Sequence, residues 1–150
     1  MIINMKDNYE IKIADYDEAI KYVPKNIAAG INYGAVIIYY GYLNGEIISE
    51  GRAYLKPKGM ASPDEDTLND ETACLSSFKT KEKYQNQGYF SRLYKFIIED
   101  LKNRGIKYVS LGIYPNNERN MNMYSNWGFN EYIKSTVEDS ENIDWYKKKI

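Results

Sequence analysis

Between an apolar, hydroxyl-rich run and a segment of helical periodicity the chain reads Gln85-Asn86-Gln87-Gly88-Tyr89-Phe90, a stretch whose composition and place suit the holding of an anion. A helix that begins directly after a strand exposes its first N–H groups and the positive end of its dipole, and together these receive phosphate oxygens. Gly88 has no Cβ to keep a ligand away from the backbone, and successive N–H groups in such a turn form an anion-binding concavity. Two familiar phosphate loops are not matched. No Gly-Lys-Ser/Thr follows and the three-glycine dinucleotide fingerprint is absent, so ATP hydrolysis and NAD binding lose support. A tight glycine turn with nothing bound fits the hexapeptide equally well.

Other chemistries are excluded by residues the chain lacks. It has 150 residues, no histidine and one cysteine. His-based triads and most zinc sites are ruled out, and no metal site is expected. Cys74 lies in an apolar run and reads as a small core residue. Any acid or base must be Asp, Glu, Tyr, Lys or a terminus. The formal charge of -1 predicts no net attraction to nucleic acid or anionic membrane. No apolar run is long enough to span a bilayer, and MIINMKDNYE lacks the order of a signal peptide. The expectation is a cytoplasmic protein without nucleic-acid or membrane partners, monomeric or homodimeric, folded as a single domain over 1–150.

The elements that must position the turn follow from periodicity. Tyr9 to Ala14 alternates and predicts a strand, and Asp15 caps a short helix through Val23, ended by Pro24. Lys25 to Asn32 fits no clear pattern. Tyr33 to Leu43 and Glu46 to Lys56 flank Asn44-Gly45 and predict an antiparallel hairpin with a type I′ turn. Pro57 to Glu71 reads as an exposed loop and Thr72 to Thr80 as a strand. From Gly88 the apolar positions Phe90, Leu93, Tyr94, Ile97, Ile98 and Leu101 keep helical spacing up to Gly105, and Ile106 to Ile113 is a strand again. This strand-helix-strand unit predicts two parallel strands. Asn117 to Asn126 predicts a helix. Phe129 to Val137 and Asp144 to Ile150 predict final strands joined by an acidic loop, Glu138 to Ile143. The fold class is α+β: a mixed, mostly antiparallel sheet with one parallel crossover and helices covering it.

A second segment gives the turn a context. Asn117-Glu-Arg-Asn-Met-Asn-Met-Tyr124-Ser-Asn-Trp-Gly128-Phe129 follows the crossover strand. Taken with Gln85-x-x-Gly88, it resembles the GCN5-related N-acetyltransferase (GNAT) family, whose phosphate loop is commonly Q/R-x-x-G-x-G/A and whose later helix is N-x-x-A-x-x-x-Y-x-x-x-G-F. Gln85, Gly88, Asn117, Tyr124, Gly128 and Phe129 fall on those positions in order. Phe90 departs from the usual small residue, and Asn120 from the usual Ala. The resemblance covers 33–150 well and the N-terminal third loosely.

The resemblance implies an acetyl-CoA-dependent N-acetyltransferase with helices on both faces of its sheet. Acetyl-CoA would be the acyl donor, its pantetheine arm lying beside the backbone of Phe78 and Thr80 like an added strand. Its pyrophosphate would be held by Gln85, Asn86, Gln87, Gly88, Tyr89, Phe90 and Ser91, with a strand N–H polarising the thioester carbonyl. Tyr124 would protonate the departing thiolate, its reference pKa near 10 keeping it protonated at neutral pH. Asn117 would contact the arm, although its position equally suits a helix N-cap. The base is chosen among Glu71, Glu50 and Glu46, with Glu71 preferred. The acidic groups Asp64, Glu65, Asp66, Asp70 and Glu71, and Glu138, Asp139, Glu141 and Asp144, could draw a cationic amine acceptor such as a polyamine, an aminoglycoside or a basic peptide terminus. A sensor that holds acyl-CoA without turnover, and a protein-interaction domain with an empty cleft, are the competing readings.

Overall fold

Seven strands form one sheet in the order β1-β2-β3-β4-β5-β7-β6, in a computed structural model that describes residues 8–55 and 70–150. They are β1 (Tyr9–Ile13), β2 (Val36–Leu43), β3 (Glu46–Tyr54), β4 (Thr72–Thr80), β5 (Tyr108–Ile113), β6 (Glu131–Glu138) and β7 (Glu141–Lys149). Every neighbouring pair is antiparallel except β4 and β5. The mixed, mostly antiparallel α+β sheet with one parallel crossover is therefore observed. Most of the loop expected over Pro57 to Glu71 lies outside the described residues.

Among the described residues four α-helices cover the sheet: α1 (Tyr16–Ala19), α2 (Lys25–Asn32), α3 (Tyr89–Asn103) and α4 (Glu118–Asn126). Asp15 caps α1 by accepting from the Glu18 N–H at 2.9 Å, but the helix stops at Ala19 and Val23 is reached through a turn. Pro24 does not simply end a helix. It opens α2 at the N-cap, where a missing N–H leaves no intrahelical bond unmade. Leu93, Tyr94, Ile97 and Leu101 of α3 pack with Ile37, Tyr39, Ala53, Leu75 and Val109 on one face. Ala19, Val23 and Ala28 pack with Val36, Ile38, Tyr40, Tyr54 and Cys74 on the other. Helices thus lie on both faces, and Cys74 is core, fully buried. No helix among the described residues is long and apolar enough to cross a membrane.

The hairpin turn Asn44-Gly45 has the two positive φ angles, 51° and 84°, of the expected I′ geometry. The acidic stretch expected as a loop over Glu138 to Ile143 is instead a tight hairpin. Asp139 and Ser140 turn at φ 50° and 65°, and Glu141 already begins β7.

Two irregularities in β4 open the sheet. Its pairing with β3 passes from Glu50↔Lys79 to Arg52↔Ser76, so β4 carries one extra residue, and Ser77 takes a left-handed φ of 56°. Such a bulge bends its strand and re-aims the side chains beyond it. On the other side, β4 pairs with β5 only at Thr72↔Tyr108, Ala73↔Val109 and Cys74↔Ser110. Both strands run on, β4 to Thr80 and β5 to Ile113, with no ladder between them. The bulge also sets the ring of Phe78 over Gly51, where an added Cβ would stand 2.7 Å from Phe78 Cε1 and 3.1 Å from Ile97 Cδ1. Gly51→Ala should therefore cost about 1–3 kcal/mol by overpacking and lower the thermal midpoint. A variant melting with the wild type would show that Phe78 is not held against this glycine.

Candidate functional site

The gap between β4 and β5 holds a cavity of about 360 Å³, bordered by Ser76, Ser77 and Phe78 of β4, Leu111 and Gly112 of β5, Tyr124 of α4 and Trp145 of β7. A second cavity, of about 470 Å³, adjoins it and is bordered by Thr80, Gln85, Asn86, Gly88, Phe90, Ser91, Asn117, Arg119 and Trp127. Phe78 and Asn120 border both. A groove therefore runs from the opened strand edge to the turn before α3.

That turn is held by its own side chains. Gln85 Nε2 donates to the Thr80 carbonyl at 3.0 Å, and Gln87 Nε2 donates to the Lys83 carbonyl at 2.9 Å. Asn86 Oδ1 accepts from Arg119 Nη2 at 2.7 Å while its backbone sits at φ 62°. Gly88 is the N-cap of α3 at φ 88°, with no side chain capping the helix. The first helical bond is Arg92 N–H to the Gly88 carbonyl, and among the described residues the N–H groups of Gly88, Tyr89, Phe90 and Ser91 find no acceptor. Polar residues thus fix the loop while leaving its amides free, the arrangement that suits an anion.

Individual side chains divide into those that face the groove and those that do not. Tyr89 is buried against Tyr9 and Tyr84, with ring centroids 4.8 and 6.2 Å away, so only its amide can serve. Gln87 likewise does not border the groove. Phe90 packs between Phe78 and Trp127, at 5.3 and 5.4 Å, and forms a wall of the groove without filling it. Thr80 borders the groove, and its buried hydroxyl has no partner. Asn117 caps α4, its Oδ1 accepting from the Asn120 N–H at 3.0 Å, and borders the same groove.

Tyr124 is 9% exposed. Its ring stands edge-on to Trp127 and Phe129, both 6.0 Å away, and it borders the first cavity. Its side chain has no hydrogen-bond partner among the described residues. Burial pushes its phenol up to about 12, since a phenolate would lose its hydration there.

The carboxylates are redistributed. Glu71, preferred from the sequence as base, is not at the gap. It precedes β4 at the end where β4 and β5 remain paired, is exposed, and meets Lys107 Nζ at 2.8 Å. Six residues of extended chain separate it from Ser77, about 20 Å at the usual rise. Glu46 pairs with Lys81 at 2.6 Å on the surface. Glu50, in contrast, is paired in register with Lys79 beside the bulge, has a side chain only 13% exposed and meets Lys79 Nζ at 3.0 Å. Glu138 stands at the border of the first cavity. Sequence reasoning missed Arg119, Ser76, Ser77 and Trp127. Arg119 had a signal, a cation in the first turn of the helix that Asn117 opens. Nothing local announces the bulge at Ser77.

No curated protein sequence matches this one. Solved structures share its fold. A GNAT family acetyltransferase from Elizabethkingia anophelis, with acetyl-CoA bound, is 21% identical with a TM-score of 0.65, over 97% of this chain and 100% of that one. The ribosomal-protein-S18-alanine N-acetyltransferase of Escherichia coli is 16% identical with a TM-score of 0.71, over 95% and 94%. A GNAT family acetyltransferase from Streptococcus pneumoniae is 14% identical with a TM-score of 0.68, over 95% and 99%. The sequence profile of the Acetyltransferase (GNAT) family matches residues 6–129. With a strand gap, an uncapped glycine turn and this profile over most of its length, the chain belongs to the GNAT family of acetyltransferases.

Proposed function

We propose that the chain moves an acetyl group from acetyl-CoA to a primary amine by direct transfer. The observation that carries this reading is the groove joining an unpaired strand edge to four free amides at a helix start. A pantetheine arm would pair with the open edge of β4 near Phe78 and Thr80, as an added strand does. The pyrophosphate would lie on the amides of Gly88 to Ser91, beside Gln85, Asn86 and Arg119. Acetyl-CoA bound to the Elizabethkingia anophelis protein supports the same donor here.

In the reaction the amine nitrogen bonds to the thioester carbon and the C–S bond breaks. Strand amides at the gap stabilise the oxyanion. Tyr124 gives its proton to the departing sulfur, and the acylated nitrogen releases one proton in turn. An amine must first shed the proton of its ammonium form. Glu50, shielded and paired in register beside the bulge, would take that proton through water, and Glu138 would add negative charge at the cavity border where the ammonium arrives. Transfer to nitrogen is also what the name of the Escherichia coli enzyme states for that protein.

Titration with acetyl-CoA should give saturable binding and a raised melting temperature; no shift at millimolar ligand would remove the donor. Tyr124→Phe should slow turnover about 100-fold and leave acetyl-CoA affinity unchanged. Because burial raises this phenol above its free value, the protonated form persists as pH climbs, so no alkaline loss of rate belongs to Tyr124 below about pH 10. A descending limb near neutrality that Tyr124→Phe abolishes would contradict that assignment. Glu50→Gln should lower kcat/KM at neutral pH about tenfold, with recovery as pH approaches the amine's own pKa near 10. Arg119→Ala, which frees Asn86, should weaken acetyl-CoA binding about tenfold, roughly 1.4 kcal/mol, with the amine KM unchanged.

A further inference from the structure

Beside Glu50, on the same strand and the same face, stands a cation, Arg52, that no carboxylate among the described residues pairs with. Ala53 and Leu75 belong to the core under α3, while Tyr54, Cys74 and Ile38 belong to the opposite core under α1 and α2. Alternation puts Arg52 on that second face, paired in register with Ile38 on one side and Ser76 on the other. Ser76 borders the cavity of the gap. Arg52 thus lies one strand spacing from the cavity edge, about 5 Å.

The surroundings of Arg52 are short of acceptors. Its Nη1 donates to the Tyr54 hydroxyl at 3.3 Å, and its buried Nε has no partner. Among the described residues no carboxylate forms an ion pair with it. Glu50, two residues away, is turned to Lys79. Next to it Tyr40, 1% exposed, holds a buried hydroxyl without a partner. Burial and then Glu50 push that phenol up to about 12 while Arg52 pulls the other way, so the three groups lie within electrostatic reach of each other. A half-buried guanidinium and a buried hydroxyl left unsatisfied are costly in a finished core, and an arriving anion relieves both.

We propose that Arg52 and Tyr40 form a carboxylate subsite of the acceptor pocket, so that the amine acetylated at the gap is that of an amino acid. The assignment rests on the acetyltransfer reading. A zwitterion fits the charge order on the strand: its ammonium faces Glu50 and Glu138, and its carboxylate faces Arg52. A polyamine would set one of its cations against the guanidinium. An acceptor with no carboxylate leaves Arg52 as it stands.

The test compares alanine, methionine and glutamate with the α-carboxamide of each, and with spermidine, by calorimetric titration of the protein with and without CoA. The free acids should bind at least tenfold more tightly than their amides or spermidine. That preference should vanish in Arg52→Gln and shrink in Tyr40→Phe, which removes one oxygen and keeps the ring in the core. Equal binding of acid and amide, tighter binding of spermidine, no binding of any of them, or a preference that survives Arg52→Gln overturns the subsite. Acetyl-CoA affinity, measured on the same preparations, separates that result from failure of the donor reading, because neither Arg52 nor Tyr40 borders the coenzyme groove.

Discussion

The parting of β4 from β5 beyond Cys74 is the constraint on which the rest depends. Parallel strands that stop pairing partway leave backbone N–H and C=O groups unmatched, an unfavourable state unless water or another strand supplies partners. The chain sustains it by anchoring both strands elsewhere. β5 keeps its ladder with β7 as far as Ile113↔Asp144, and β4 resumes pairing with β3 beyond the bulge, at Glu50↔Lys79 and Ser49↔Thr80. The left-handed Ser77 is the joint between the two regimes. Because Phe78 is seated over Gly51 and against Ile97, the bend is locked from the α3 side. An open edge held this rigidly is prepared for an extended ligand, with little left to order on binding.

The same economy governs the turn. A helix start normally satisfies its amides with a Ser, Asp or Asn side chain. Here the polar side chains point backward, Gln85 to Thr80 and Gln87 to Lys83, and stabilise the loop without occupying the amides. Gly88 supplies the left-handed backbone that aims them outward. Arg119 then ties Asn86 to α4, the helix that also carries Tyr124. The glycine turn and the phenol are therefore linked through one charged hydrogen bond, so a ligand held at one end would be registered against Tyr124 at the other.

Features that are local in the chain were legible in it. Asn44-Gly45, the periodic run from Phe90 to Leu101 and the capping Asn117 each act through neighbours a few residues away, and each is observed. α2 was not legible, because Lys25 to Asn32 is short, carries Gly30 and has no side-chain cap, and it gains its helix by packing Ala28 on the sheet. The acidic hairpin was misread as a loop because Asp139-Ser140 adopts the left-handed turn without the usual glycine. The position of Glu71, away from the gap, was not legible for a different reason. Composition shows that a carboxylate adjoins a strand, but only the direction of β4 and the point where its pairing ends reveal which end of the strand opens. Long-range register decides the site, and register is not written in any single segment.

Register also divides the work between the faces of the sheet. On β3 the residues facing α3, Gly51 and Ala53, are small, which lets Phe78 and the helix come close. The alternate residues, Glu50 and Arg52, are charged and lie on the face that α1 and α2 cover, where Tyr40 is packed. A strand whose one face must be small and whose other face bears opposite charges two residues apart cannot be explained by core packing alone. Packing accounts for the first face. On the second face Glu50 stands opposite Lys79 in the opened part of β4, and Arg52 stands opposite Ser76, nearer the end where β4 and β5 still pair. A negative and a positive group therefore follow each other along the gap, the order that the proposed zwitterionic acceptor would meet.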